Sequence, residues 1–209
     1  VFSTRGGALA EINLPFESEK DQESVVKEIN FDRIIEKKYT NNSLFPLKSY
    51  YIADSQGTQE LKKPQTGGYY PLIRRDLISN SGSEISTIPA NLYALNLVSE
   101  DEDLANATYR AKRFTDSMIE FESVQKSRRI TKTYTLPKST SETPYCLDVK
   151  ISIDGDARGL WVNSGVPSVE LISRNSSPVL KYRTTKNGKK VVEKISLPKN
   201  ETTLSNIEP

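Results

Sequence analysis

From residue 145 to residue 153 every odd position is apolar: Tyr145, Leu147, Val149, Ile151 and Ile153, with Cys146, Asp148, Lys150 and Ser152 between them. A side-chain period of two fits a strand with one buried face and excludes a helix, whose period is about 3.6. The segment before it behaves in the same way. Ile130, Lys132, Tyr134 and Leu136 share a face opposite Thr131, Thr133 and Thr135, and threonine and tyrosine favour a pleated surface. Further upstream, Met118-Ile119-Glu120-Phe121-Glu122-Ser123-Val124 puts Ile119 and Phe121 on one face, and Gln125-Lys126-Ser127 supplies a turn. Pro137 stops the second run because it has no N–H to give a ladder. The three runs predict an antiparallel hairpin followed by a third neighbour, a meander with one wet side.

Near the start, Ala8, Ala10, Ile12 and Leu14 alternate behind Gly6-Gly7. Paired glycines inside a β-like run permit positive φ or close approach by another backbone. A phosphate loop needs a longer glycine run opening a helix, usually with a Lys, and neither is present. The sequence begins in mid-strand with no initiator Met, so a longer parent polypeptide is expected. Residues 17–38 are charged and read as either a short helix or the start of a strand. Tyr50-Tyr51-Ile52 predicts a strand, residues 54–68 a long loop, and residues 69–73 and 89–97 two extended runs. Glu100-Asp101-Glu102-Asp103 lacks the alternating ligands, central Gly and closing Glu of a calcium loop, and reads as a solvated turn. Val169-Glu170-Leu171-Ile172 is a further strand candidate. Residues 179–184 and 191–195 pair across Lys186-Asn187-Gly188, because Asn-Gly tolerates positive φ at both turn positions. The basic group at residues 186–190 reads as a solvated hairpin tip, with a phosphate-binding patch as the rarer alternative. The tail from Pro198 is polar and expected to fray.

Composition narrows the chemistry. A chain of 209 residues suits one all-β unit, and 29 basic against 27 acidic residues leave a net charge of +2, with no global field for nucleic acid or an anionic membrane. The absence of His excludes Ser-His-Asp and Cys-His catalysis, His-ligated zinc and a His acid or base. A single Cys, Cys146, allows no intrachain disulfide and has no His to activate it, so it is expected as a small residue on one sheet face. No apolar run approaches the roughly 18 residues that span a bilayer. Sequons at Asn41, Asn106, Asn175 and Asn200 are short enough to arise by chance in an Asn- and Ser-rich chain. No carboxylate pair lies in a recognisable hydrolase context, so no catalytic, metal or cofactor residue is expected. Trp161, the only Trp, is bracketed by Gly159 and Gly165 and is expected to anchor the core. The alternative is an exposed Trp that grips a partner or stacks on a sugar. Trp161, Tyr69 and Tyr70 are the candidate contact or groove residues.

Three segments resemble one family. Ser3-Thr4-Arg5-Gly6-Gly7-Ala8-Leu9-Ala10-Glu11-Ile12-Asn13-Leu14-Pro15 resembles the opening of the large periplasmic domain of the YidC/Oxa/Alb insertases, where a T-R-G-G strand leads to Leu-Pro. Arg129-Ile130-Thr131-Lys132-Thr133-Tyr134-Thr135-Leu136 resembles that family's T-K-T-[FY]-x-L strand, and residues 145–153 stand where it has Y-x-[VL]-x-V-x-[YIV]. The match covers residues 1–15 and 117–153, while 17–115 and 154–209 depart from it. The resemblance implies an all-β, antiparallel β-supersandwich similar to galactose mutarotase, with few short helices. It implies that residues 1–209 form a single periplasmic domain, a fragment of a longer inner-membrane protein. Mutarotases use His in catalysis; that chemistry is not available here, and no cofactor is implied. Insertion would be performed by a transmembrane core outside this chain, leaving a non-catalytic interaction or scaffolding module. Its implied partners are the SecD/SecF part of the Sec translocon, through residues 154–209 or beyond, and nascent membrane proteins. Nucleic acid is not implied, and the membrane only through transmembrane segments outside this chain. A carbohydrate-binding sandwich is the alternative, and an adhesin or surface domain a third possibility.

Overall fold

Gly6-Gly7 reverses the chain between β1 (Phe2–Ser3) and β2 (Ala8–Leu9), with Phe2 opposite Leu9 and Ser3 opposite Ala8. Both glycines hold positive φ, +71° and +51°, one of the two uses the pair permits. In the computed structural model, residues 1–20, 22, 24–30, 33–34, 37, 48–63, 68–73, 76–78, 85–100, 102–137, 146–165 and 179–196 are described. Contacts divide the chain into two compact units, Val1–Val166 and Pro167–Pro209.

The alternating run after the glycines is not one amphipathic strand. Ala8, Leu9, Ala10 and Glu11 are all buried, so both faces of this stretch are covered. β3 (Ile12–Pro15) then leaves β1 and β2 for another partner. β4 (Tyr50–Ala53) and β5 (Gln59–Lys62) form a hairpin where sequence predicts a long loop over 54–68. The physical reason is local: Asp54 Oδ1 accepts the Gln56 and Thr58 N–H groups at 2.9 and 2.8 Å, and Gly57 takes φ +84°. β6 (Tyr69–Ile73), an expected strand, pairs with β3, placing Leu14 opposite Tyr70 and Pro15 opposite Tyr69. β7 (Asp76–Ile78) and β8 (Ile85–Thr87) make a further antiparallel pair.

The run predicted as extended over 89–97 is mostly turn. Pro89 leads into a 3₁₀ turn at Ala90–Leu92, Ala94 makes an isolated bridge to Leu9, and only β9 (Leu97–Val98) is strand. Of the expected solvated turn at 100–103, Glu100 is exposed, Asp101 lies outside the described residues, and the remainder opens a helix rather than a turn. Glu102–Ala105 is one helical turn, held down by buried Leu104 and Ala105.

The centre of the first unit is a sheet of β10 (Arg110–Phe114), β11 (Met118–Val124), β12 (Arg128–Thr135) and β13 (Asp148–Gly155), antiparallel in chain order. The three predicted runs are its last three strands, in register Ile119↔Tyr134, Phe121↔Lys132, Ile130↔Ile153 and Lys132↔Ile151. β10 escapes sequence reading because Arg110, Ala111, Lys112 and Arg113 are all exposed and a bulge between Ala111 and Arg113 breaks any alternation. One face of the sheet buries Ile119, Phe121, Ile130, Lys132 and Tyr134 against Leu97, Leu104 and Tyr109. Phe2 joins them, its ring centroid 4.7 Å from that of Tyr134. Each large apolar side chain so buried contributes about 2 kcal/mol. Leu136, expected on this face, is instead exposed beyond the strand end, and Cys146 is exposed. The other face is wet, with Lys112 Nζ 3.1 Å from Glu122.

β14 (Trp161–Val162) closes the first unit by pairing with β9. In the second unit, β15 (Val179–Lys186) and β16 (Lys189–Ser196) form the predicted hairpin, with Asn187 and Gly188 at φ +50° and +75°. The candidate strand at 169–172 and the tail from Pro198 lie outside the described residues, as does most of 31–47. The described architecture is all-β and antiparallel, fitting the sandwich class expected from sequence.

Candidate functional site

Among the described residues, several buried side-chain hydrogen bonds converge on the glycine turn, and their logic begins with unmet backbone groups. A tight turn of two left-handed residues exposes carbonyls that need donors when buried. Lys132 Nζ donates to Gly6 O at 2.7 Å and to Leu95 O at 2.6 Å, while Tyr134 Oη donates to Gly7 O at 2.7 Å. Gly6 N–H donates to Ala107 O at 2.8 Å. Lys132 and Tyr134 reach the turn because strand periodicity sets residues 130, 132 and 134 on one face. A Cβ on Gly6 would overlap the Asn96 side chain, and one on Gly7 would lie 2.9 Å from the Tyr109 ring. Only glycine fits at either position.

Asn96 is fully buried and its Nδ2 donates to Ala90 O at 2.7 Å and Ala105 O at 2.9 Å, tying the 3₁₀ turn to the helical turn. Its neighbour Leu95 holds φ +62°, a conformation that costs a non-glycine residue about 1–2 kcal/mol. Two bonds retain it: its N–H donates to Asn163 O at 2.7 Å and its carbonyl accepts from Lys132.

Burial pushes the Lys132 ammonium down to about 7. The two carbonyls and the Tyr109 ring, 5.1 Å from Nζ to centroid, act in the opposite sense by favouring the charged form. Burial raises the Tyr109 phenol to about 12, with Arg128 opposing, and raises Tyr134 further still. A lysine near neutrality is chemically able to act as a base or nucleophile. Lys132 is fully buried, however, and two of its donors are held by backbone carbonyls. It serves as a tie, joining strand, turn and loop.

A cleft of about 650 Å³ opens beside this tie, with Phe2, Tyr50, Ile52, Tyr93, Phe114 and Phe121 among its walls and Lys48 and Asp116 as charged members. None of the three candidate contact residues lines it. Tyr69 and Tyr70 are on β6, paired with β3, and both are partly buried. Trp161 is on β14, opposite Val98. Its expected role as a core anchor is overturned: Trp161 is 52% exposed and Val162 53%. The aromatic volume of the core comes instead from Phe2, Tyr109, Phe121 and Tyr134. The structure thus keeps the three residues on two separate ribbons. The residues that sequence reasoning missed are Asn96 and Leu95; no local pattern marks them, whereas Lys132 is visible as the charged member of an apolar strand face.

These features define an all-β antiparallel domain with a sealed polar tie at its centre and apolar side chains, Trp161 and Val162, displayed on an outlying ribbon. No protein-family profile matches the chain, and no solved structure matches it. Curated relatives do. It is 36% identical over 202 residues to a membrane protein insertase YidC of Chlamydia caviae, covering 95% of this chain and 24% of that protein. Similar matches join it to the membrane protein insertase YidC of Chlamydia muridarum, 34% identical over 207 residues, and of Chlamydia trachomatis serovar D, 33% over 208, each covering 98% of this chain and 25% of the relative. The chain is homologous to a segment of the YidC membrane protein insertases. It spans about a quarter of the length of the relatives it matches.

Proposed function

We propose that this chain is a periplasmic, non-catalytic interaction domain of an inner-membrane insertase, aiding insertion and folding of membrane proteins alone or with the Sec translocon. The observation that carries this reading is the match to YidC insertases over nearly the whole chain. The chemistry agrees with it. The most strongly shifted lysine is sealed and used structurally, and the chain has no His. Contact with SecD/SecF or with nascent chains would fall on exposed apolar positions, of which Trp161 is the largest, with Tyr69 and Tyr70 as further contact residues.

The test is site-specific photocrosslinking in the full-length parent in membranes, with a photoreactive residue at position 161, 69 or 70. Adducts with SecD, SecF or a nascent membrane protein are expected from at least one position. Absence of adducts at all three, together with normal insertion after deletion of residues 1–209, overturns the proposal. Location is tested separately. Exposed Cys146, as the sole cysteine of an otherwise cysteine-free parent, should react with an impermeant maleimide from the periplasmic side. A half-exposed Trp161 also suits stacking on a sugar ring, so a carbohydrate-binding role is the second reading. Glycan binding abolished by Trp161→Ala would support it, and a blank glycan array would remove it.

A further inference from the structure

The cleft beside the Lys132 tie is walled by strand edges. In an antiparallel ladder, a residue whose opposite number bonds elsewhere turns its own N–H and C=O outward. Leu9 exchanges both bonds with Ala94, so Phe2, opposite Leu9, turns its backbone groups away from β2. Gln125 N–H donates to Arg128 O, and that bond fixes the phase of the β11–β12 ladder: Ile119 and Phe121 give their backbone groups to β12. Their β10 partners, Phe114 and Ala111, therefore turn theirs to the side of β10 away from β11. On β4, Asp54 N–H donates to Thr58 O, so Ala53 and Tyr51 turn theirs away from β5. None of these five residues has a partner for those groups among the described residues, and all five line the cleft.

The cleft is also where two ribbons part. Tyr109 N–H donates to Thr4 O at 2.8 Å and Arg5 bridges Thr108, so β1 and the chain entering β10 start as neighbours. Continued in that register, Phe2 would meet Ala111, yet no bond joins them. The bulge between Ala111 and Arg113 bends β10 at this point. What is left is a gap of about 650 Å³ edged by β1, β4 and β10. The outward groups at Tyr51 and Ala53 repeat with the period of a strand, and a polypeptide offers a donor and an acceptor every second residue, about 7 Å apart. A sugar ring lacks that repeat, and a lipid tail has no polar group to give. Side chains set the composition. Phe2, Tyr93, Phe114, Ile119 and Phe121 line the gap, while Lys48 and Asp116 bring one charge of each sign, so neither an acidic nor a basic segment is favoured. We propose that this cleft takes an extended, apolar polypeptide segment as an added strand on the β4 or β10 edge. The source of the segment rests on the insertase reading: it is a stretch of a membrane protein before its insertion.

The experiment titrates the 209-residue chain into a capped, fluorescein-labelled peptide with a central Leu-Val-Leu-Ala-Val run, read by fluorescence anisotropy. Amide hydrogen exchange is then measured with and without the unlabelled peptide. Saturable binding is expected, with exchange slowed at least about tenfold at Tyr51 and Ala53 or at Ala111 and Phe114. An analogue N-methylated throughout the run keeps every side chain and loses its donors. Two lost bonds at about fivefold each predict binding weaker by at least about 25-fold. Ala111→Trp fills the gap from an exposed position and should weaken binding at least about tenfold, whereas Val149→Trp on β13 should bind like wild type. A far-UV circular dichroism melt checks the fold of both variants, and the N-methylated peptide decides without them. No binding, equal binding of the N-methylated peptide, or slowed exchange at Val149 instead of the cleft would overturn the proposal. So would slowing at the cleft amides that needs no peptide and grows with protein concentration, which would assign the cleft to a second copy. Displacement of the peptide by free hexoses at low millimolar concentration would assign it to a sugar and overturn it too. Crosslinking at positions 161, 69 and 70 tests the insertase reading by itself: adducts can be absent there while the cleft binds peptide, and present while the cleft stays empty.

Discussion

Lys132→Met isolates the buried tie. In the folded chain burial sets the Lys132 ammonium at about 7, against an ordinary 10.5 in the unfolded chain. Below pH 7 both states hold the proton and the native state carries the full penalty of burying it. Above pH 7 the native state releases the proton while the unfolded chain keeps it, so stability rises with pH until the unfolded group also titrates near 10.5. Integrated from pH 7 to pH 9, the gain for wild type is about 2 kcal/mol. This is an upper bound, because carbonyls at 2.6 and 2.7 Å favour the charged form and move the window upward. The measurement stops at pH 9 for a reason. Tyr109 and Tyr134 have raised values when folded, so they withdraw stability as the unfolded tyrosines ionise through pH 10. Methionine removes the titration and leaves Gly6 O and Leu95 O without their donor, each worth about 1–3 kcal/mol. Urea unfolding at pH 6, 7, 8 and 9, followed by far-UV circular dichroism, gives the stability of both proteins. The gap between them should widen by up to about 2 kcal/mol from pH 7 to pH 9. Two parallel curves would refute the reasoning.

Gly6→Ala forces a left-handed alanine into the Asn96 side chain and should destabilise by at least about 3 kcal/mol, read as a lowered melting temperature. Tyr134→Phe leaves Gly7 O unpaired and should cost about 1–2 kcal/mol in the same assay. Because Trp161 is the sole Trp and half exposed, acrylamide should quench native fluorescence at least half as efficiently as that of the urea-unfolded chain; a blue-shifted, protected emission would contradict its placement. Cys146 should react with a thiol reagent in the native protein within a few-fold of the unfolded rate, and a protected thiol would contradict its exposure.

What could be seen in advance was governed by forces acting over a few residues. Alternation at residues 118–136 and 145–153 gave β11, β12 and β13, since a period of two puts all apolar groups on one side. Asn187-Gly188 gave the β15–β16 turn because those residues accept positive φ without help from the rest of the fold. β10 stayed hidden because its exposed Arg, Ala and Lys residues carry no period, and it is a strand only because β11 offers a partner. The hairpin at Asp54–Gly57 hid for a different reason: glycine and proline read as loop until an Asp side chain is seen to close the turn.

The sequence by itself determined an antiparallel all-β chain, the backbone freedom at Gly6-Gly7, and the absence of histidine chemistry. Only the tertiary structure decided that Lys132 is a sealed tie, that Asn96 and left-handed Leu95 are held beside it, and that Trp161 faces water. The reason is separation along the chain. Lys132 meets Gly6 across 126 residues and Leu95 across 37, and no local pattern of residue types records partners so far apart. A side chain's face is set by its neighbours; what waits on that face is set by the fold.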